Sequence, residues 1–253
     1  MCMVIVALTM LAVGVCLGFV GAGGSGFIIS ILTTIFGFSI HTALGTALSA
    51  MFFSSVSGAI SHYREGNTIL KVGIPVGLIG AVGAWISSGF SAQIDSHILR
   101  WMTAGILLLS AVILWGRMIL ISRKKDTIQE DKVPIGLRFW FAAITVGFVT
   151  GVLSGLFGIG STPFIQIGLM ILFGLSVQKS AGTTMLVIIP IALAGGENNY
   201  RLGYLDIKLL IAVVIGTMVG SYIGAKFTKR VPEIYLKIAM VLVPTLGAIF
   251  LVL

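Results

Sequence analysis

The chain has 253 residues, 57% of them hydrophobic and 9% charged, with a formal net charge of +8 and a mean hydropathy of +1.12. Soluble domains carry about a quarter charged residues, so this composition excludes one and requires a polytopic all-α membrane protein. The positive excess is what Lys and Arg concentrated in cytoplasmic loops produce; it gives no ground for a nucleic-acid partner, and the first partner to expect is the lipid bilayer.

The N-terminus lacks the basic region and small-residue cleavage site of a signal peptide, so the first apolar stretch is expected to stay in the mature protein. That stretch runs from Val4 to Phe38 and is interrupted by GAGGSG at 21–26. As one helix it would be on the order of 50 Å long, too much for a single crossing of a 30 Å hydrocarbon core. Further apolar blocks follow at 43–60, 72–90, 98–122, 139–156, 181–195, 207–227 and 234–253. The run RKKDTIQEDK at 123–132 is the hydrophilic segment long enough to serve as a linker. The expected organisation is a first membrane repeat over 1–122, a cytoplasmic linker over 123–137 and a second membrane repeat over 138–253. Cys2 and Cys16 cannot form a disulfide framework, and His41, His62 and His97 share no metal-ligand spacing and read as interfacial. No metal and no cofactor is expected.

Sliding the sequence over itself by 137 positions superposes Gly14, Gly18, Gly21 and Gly23 on Gly151, Gly155, Gly158 and Gly160. It also pairs Gly45-Thr46 with Gly182-Thr183 and the polar Tyr63-Arg64-x-Gly66 with Tyr200-Arg201-x-Gly203. A glycine-rich chain could align its glycines by bias, but not a Tyr-Arg-x-Gly loop in the same register, so the sequence contains an internal duplication. An odd number of crossings per half makes such halves inverted, an even number parallel.

The positive-inside rule separates the two cases. If the chain turns back at GAGGSG, each half has five segments, and thirteen Lys and Arg fall inside against Arg100, Arg201 and Lys208 outside; with four segments the split weakens to ten against six. The expectation is therefore two inverted repeats, each opening with a Gly-interrupted helical hairpin or re-entrant segment followed by three transmembrane helices. The N- and C-termini then lie outside the cytoplasmic membrane.

Non-helical backbone at membrane depth is tolerated only where protein or a watery cavity satisfies it, so each break is a candidate site. In the second half, Ser161-Thr162-Pro163 reads as a hydroxyl cap followed by Pro at a first helical position, opening a helix over 164–173. A helix N-terminus there offers free N–H groups and partial positive charge to a compact anion, with hydroxyls as extra donors. Two inverted repeats would aim two such ends at one centre. The candidate binding residues are Gly23, Gly24 and Ser25 in the first run and Gly160, Ser161 and Thr162 in the second. Gly14-xxx-Gly18 and Gly151-xxx-Gly155 read instead as helix-packing pairs.

GFVGAGGSGF and GLFGIGSTPF, each with a downstream Gly-Thr cluster, resemble the TauE/SafE family of sulfite and organosulfonate exporters, and the resemblance covers nearly the whole chain. It implies transport of a small sulfur-containing oxyanion such as sulfite, sulfoacetate, a taurine-derived sulfonate or thiosulfate. The chain departs from the family pattern at Gly26, where the first Pro would stand, and at Ser161-Thr162, which replace glycines.

Thr46, Thr183 and Thr184 follow the breaks and could reach the same anion, or back-bond within their own helices. Arg64 and Arg201 could funnel anions at opposite faces, or snorkel beside belt tyrosines. Glu197 has no acidic counterpart in the first half; it either couples protons or lies in an outer loop. The leading function is a secondary transporter working by alternating access, with a passive anion channel or a carrier of another carboxylate or oxyanion as alternatives. An intramembrane enzyme would need a nucleophile triad, a metal set or HExxH, and the sequence has none. A homodimer stays open.

Overall fold

The computed structural model describes residues 2–20, 25–91, 93–123, 133–158, 161–228 and 230–252. Among them are ten α-helices: α1 Cys2–Val20, α2 Ser25–Thr34, α3 Ile40–Arg64, α4 Leu70–Ser91, α5 Ser96–Arg123, α6 Leu137–Phe157, α7 Thr162–Leu172, α8 Val177–Arg201, α9 Ile207–Phe227 and α10 Glu233–Val252. Eight are long and apolar enough to cross a membrane; α2 and α7, with 10 and 11 residues, are the exceptions. At 1.5 Å per residue these two reach about half of the hydrocarbon core. The charged run at 124–132 lies outside the described residues.

Local chemistry sets several helix ends. Ser39 accepts a hydrogen bond from the Thr42 amide at the start of α3, and Ser176, its counterpart 137 positions later, accepts from the Lys179 amide at the start of α8. Asp206 caps α9 through the amides of Lys208 and Leu209. Helix α6 stops at Gly158, whose φ of 63° is the left-handed conformation that favours glycine, with its N–H returning to Ser154 O at 2.8 Å.

Lipid offers no hydrophobic incentive for apolar helices to associate, so small residues and backbone carbonyls carry the packing. Gly216, Gly220 and Gly224 of α9 abut Ala7, Leu11 and Val15 of α1 in rising order, which makes the two helices parallel. Gly147, Gly151 and Gly155 of α6 abut Val76, Gly80 and Ala84 of α4 in the same manner. Helices α3 and α8 cross the middle antiparallel, with Leu48 at Gly195 and Gly58 at Met185. The GxxxG pairs thus do what their spacing suggests. Serines stitch neighbouring helices by donating to carbonyls: Ser57 to Met218 O at 2.8 Å, Ser221 to Ser54 O at 2.8 Å, Ser87 to Val152 O at 3.0 Å and Ser30 to Gly247 O at 2.6 Å.

These contacts are reciprocal at the sequence offset. Gly14 lies on Thr217 and Gly151 on Gly80; Gly18 lies on Ser221 and Gly155 on Ala84; Gly45 lies on the Tyr204 carbonyl and Gly182 on that of Asn67. In each pair, adding 137 to one partner and subtracting it from the other converts the first contact into the second.

Candidate functional site

Gly23, Gly24 and Gly160 lie outside the described residues, so the edges of the breaks are what the structure defines. Those edges meet. Val20, Gly26 and Phe27 from the first break and Thr162, Pro163 and Gln166 from the second line one cavity of about 20 Å³, walled on the far side by Leu107 of α5 and Pro244 of α10. That volume holds about one water-sized sphere.

Thr162 lines this cavity, and Ser25 and Ser161 stand next to lining residues in the chain. Ser25 and Ser161 are fully buried, Thr162 is nearly so, and none of their side-chain oxygens has a hydrogen-bond partner among the described residues. Removing a hydroxyl from water without a partner costs about 1–3 kcal/mol, so each of these groups gains from a polar partner beyond the described residues. Ser154, one turn before the second break, is also fully buried, and its hydroxyl has no partner among the described residues.

Ser161 departs from the expected cap. It precedes α7 with φ 46° and ψ 24° and makes no side-chain cap bond, and α7 begins at Thr162 with Pro163 in its first turn. A capping Ser sits in the extended region, where its Oγ reaches the third amide of the helix; the left-handed backbone directs Oγ elsewhere. Ser161 is the sole non-glycine residue with positive φ among those described, a conformation that costs of order 1–3 kcal/mol and gathers at functional sites.

The threonines are not brought together. The Thr183 hydroxyl accepts from the Ile69 amide at 3.1 Å, beside the loop between α3 and α4, while Thr46 follows Gly45, which packs on Tyr204 in the loop between α8 and α9. From the antiparallel register of α3 and α8, Thr46 and Thr183 stand about 20 Å apart along the bundle. Thr46 and Thr184 are fully buried, with hydroxyls that have no partner among the described residues. Neither back-bonds to its own helix.

The charged candidates sit on the periphery. Arg64 is exposed and donates to the Tyr222 hydroxyl at 3.0 Å. Glu197 is not in a loop but one turn before the end of α8, exposed and ion-paired with Arg201. His62, expected at an interface, is fully buried, with Nε2 against the Gly18 carbonyl at 3.1 Å.

Sequence reasoning passed over Gln166. It is 1% exposed, its Nε2 donates to Val20 O at 3.0 Å, and its backbone carbonyl accepts from Ser180 Oγ at 3.0 Å. The signal was present: one amide side chain in the otherwise apolar FIQIGLMIL, where a polar group needs a partner.

Eight apolar spans and the short helices α2 and α7, whose first turns meet at one buried cavity, define an all-helical polytopic membrane protein. Comparison with known proteins narrows the class: the family model of the sulfite exporter TauE/SafE matches residues 6–251, and the chain belongs to that family. It is 47% identical over 247 residues, covering 98% of this chain and 99% of the other, to the probable membrane transporter protein YdhB of Bacillus subtilis (strain 168). A probable membrane transporter protein of Methanocaldococcus jannaschii is 28% identical, with 90% and 87% of the two chains covered. No solved structure gives a significant match. The protein is a membrane transporter of the TauE/SafE family.

Proposed function

We propose that the protein moves a small sulfur-containing oxyanion, sulfite or a related organosulfonate or thiosulfate, across the cytoplasmic membrane by alternating access. The observation that carries this reading is that the flanks of both breaks line one cavity, Thr162 among them, while the adjacent Ser25 and Ser161 are buried with hydroxyls unpartnered among the described residues. The amides of Gly23, Gly24 and Gly160 complete the donor set in this reading. Donors without a full positive charge suit a compact oxyanion that must bind and also leave.

Two inverted repeats supply the two access states. The reciprocal contacts at the 137-residue offset support this, because an exchange of the two halves leaves the packing pattern unchanged. A cavity of about 20 Å³ favours a carrier over a passive channel, since an anion larger than water crosses only when the packing around the cavity shifts. The termini lie outside, by the distribution of Lys and Arg.

A ligand that binds only the native state raises its stability. Purified protein melted against sulfite, thiosulfate, sulfoacetate, sulfate, taurine and acetate is expected to gain stability with the sulfur oxyanions and to carry the best of them into proteoliposomes saturably. Stabilisation by acetate alone, or flux that rises linearly without saturation, overturns the reading.

A further inference from the structure

The transport reading places cations at neither mouth of the route to the central cavity: Arg64 is bonded to Tyr222 and Arg201 to Glu197, both on the exposed surface. A different cation occupies a cavity. Thr33, Phe38, Ile40, Ser96, His97 and Arg100 line a space of about 240 Å³ where α2, the start of α3 and the start of α5 meet. Arg100 and His97 also line an adjoining space of about 130 Å³ with Trp101, Leu251 and Val252. Arg100 is half-buried, and its Nε donates to the Leu251 carbonyl in the last turn of α10. That bond fixes the guanidinium and leaves its terminal amino groups without a partner among the described residues. The neighbouring carboxylate, Asp95, is engaged with the amides of His97 and Ile98.

The helix carrying Arg100 leads inward. Arg100, Thr103 and Leu107 are spaced i, i+3, i+7 and share one face of α5. Thr103 is fully buried and its hydroxyl has no partner among the described residues; Leu107 lines the central cavity. The same register recurs on α10, where Lys237, Met240 and Pro244 stand 137 positions on, and Met240 and Pro244 line the central cavity.

From this geometry we infer that the cavity at Arg100 is an anion-binding vestibule for a dissolved small oxyanion, opening onto a route along α5 through Thr103 to the central cavity. This deepens the proposed function and rests on it for the identity of the anion, but not for the site. A guanidinium with free terminal donors matches the planar two-point recognition of an oxyanion, and a positive group in a concave mouth concentrates anions and raises their entry rate.

Trp101 beside Arg100 provides a readout that needs no transport. In a variant with Trp85, Trp115 and Trp140 replaced by Phe, iodide is expected to quench Trp101 more strongly than neutral acrylamide at low salt. Arg100→Gln should remove the iodide excess while leaving acrylamide quenching as it was, which also shows that the fold is kept, and Arg100→Lys should restore much of it. Sulfite or sulfate should protect Trp101 from iodide. In proteoliposomes, Arg100→Gln should slow low-salt sulfite entry by about tenfold, with the difference shrinking at high salt. Equal iodide quenching with and without Arg100 overturns the vestibule, as does protection conferred only by phosphatidylglycerol and not by dissolved sulfate. A vestibule that responds to iodide and sulfate in a protein that moves no sulfur oxyanion leaves this inference standing and removes the transport reading.

Discussion

The side-chain amide of Gln166 donates to the backbone carbonyl of Val20 at 3.0 Å, joining the short helix of the second break to the last residue before the first. Both residues are almost wholly buried, so the bond forms where water cannot replace it. Replacing Gln166 with Leu would remove this buried hydrogen bond, at a cost of about 1–3 kcal/mol. Gln166→Leu is expected to lower the melting temperature and weaken oxyanion binding together, and calorimetry beside a melting curve measures both. Full stability and affinity would mean that the bond holds nothing in place.

Thr162→Ala should separate binding from folding. The substitution removes a hydroxyl that has no partner among the described residues, so the fold has little to lose. If that hydroxyl donates to a bound oxyanion, affinity falls by about 1.5–3 kcal/mol, the worth of a hydrogen bond to a charged group. Thr162→Ser should keep most of the affinity, and titration of all three proteins with sulfite tests it.

Ser161→Gly should move stability and binding in opposite directions. Glycine adopts φ 46° without the Cβ penalty, so the variant is expected to gain about 1 kcal/mol or more in stability. It also loses the Ser161 hydroxyl and with it some affinity. A variant that is less stable than the parent would refute the strain argument.

The glycine contacts predict a sharp contrast among single substitutions. A Cβ on Gly151 would run into the Gly80 backbone, which cannot swing aside as a side chain can, whereas one on Gly105 meets nothing within 4 Å. Gly151→Ala should force α4 from α6 and cut the yield of folded protein, while Gly105→Ala should be silent, as fluorescence-detected size exclusion would report.

Orientation is open to direct labelling. Glu65 and Leu202 end α3 and α8 at positions 137 residues apart, and opposite orientations of the halves would put them on opposite sides of the membrane. With both native cysteines replaced, Leu202→Cys should react with an impermeant thiol reagent in intact cells and Glu65→Cys only after permeabilisation. Reaction of both from outside would contradict inverted repeats.

Much of the architecture was legible because it rests on residues with few alternatives. The duplication shows in Gly14, Gly18 and Gly45 and their counterparts, and each proved to be where a backbone or side chain approaches too closely for a Cβ. On either side of the glycine runs, α1 ends at Val20 and α2 begins at Ser25, and α6 ends at Phe157 and α7 begins at Thr162. What escaped was direction. In a chain that is apolar on nearly every face, periodicity does not tell lipid from protein, so nothing marked His62 as interior or Arg100 as lining a cavity. Thr46 and Thr183 looked able to reach one anion because each follows a break near a helix start, but the crossing of α3 over α8 carries them to opposite ends. Ser161 had the letters of a cap, and a single left-handed residue changed where its hydroxyl goes.

The parallel pairing of α1 with α9 carries a consequence for biosynthesis. The glycines of α9 that receive α1 begin at Gly216, some 200 residues after Ala7. Helix α1 therefore waits in the bilayer through the synthesis of seven others before its partner exists, and contacts so distant in sequence form slowly. Its length and apolar character let it wait, because lipid solvates such a helix until the partner arrives. A nascent chain stopped anywhere before α9 should present Gly14 and Gly18 to lipid or to any other small-residue face within reach, which makes α1 the natural client of whatever holds unpaired helices during insertion.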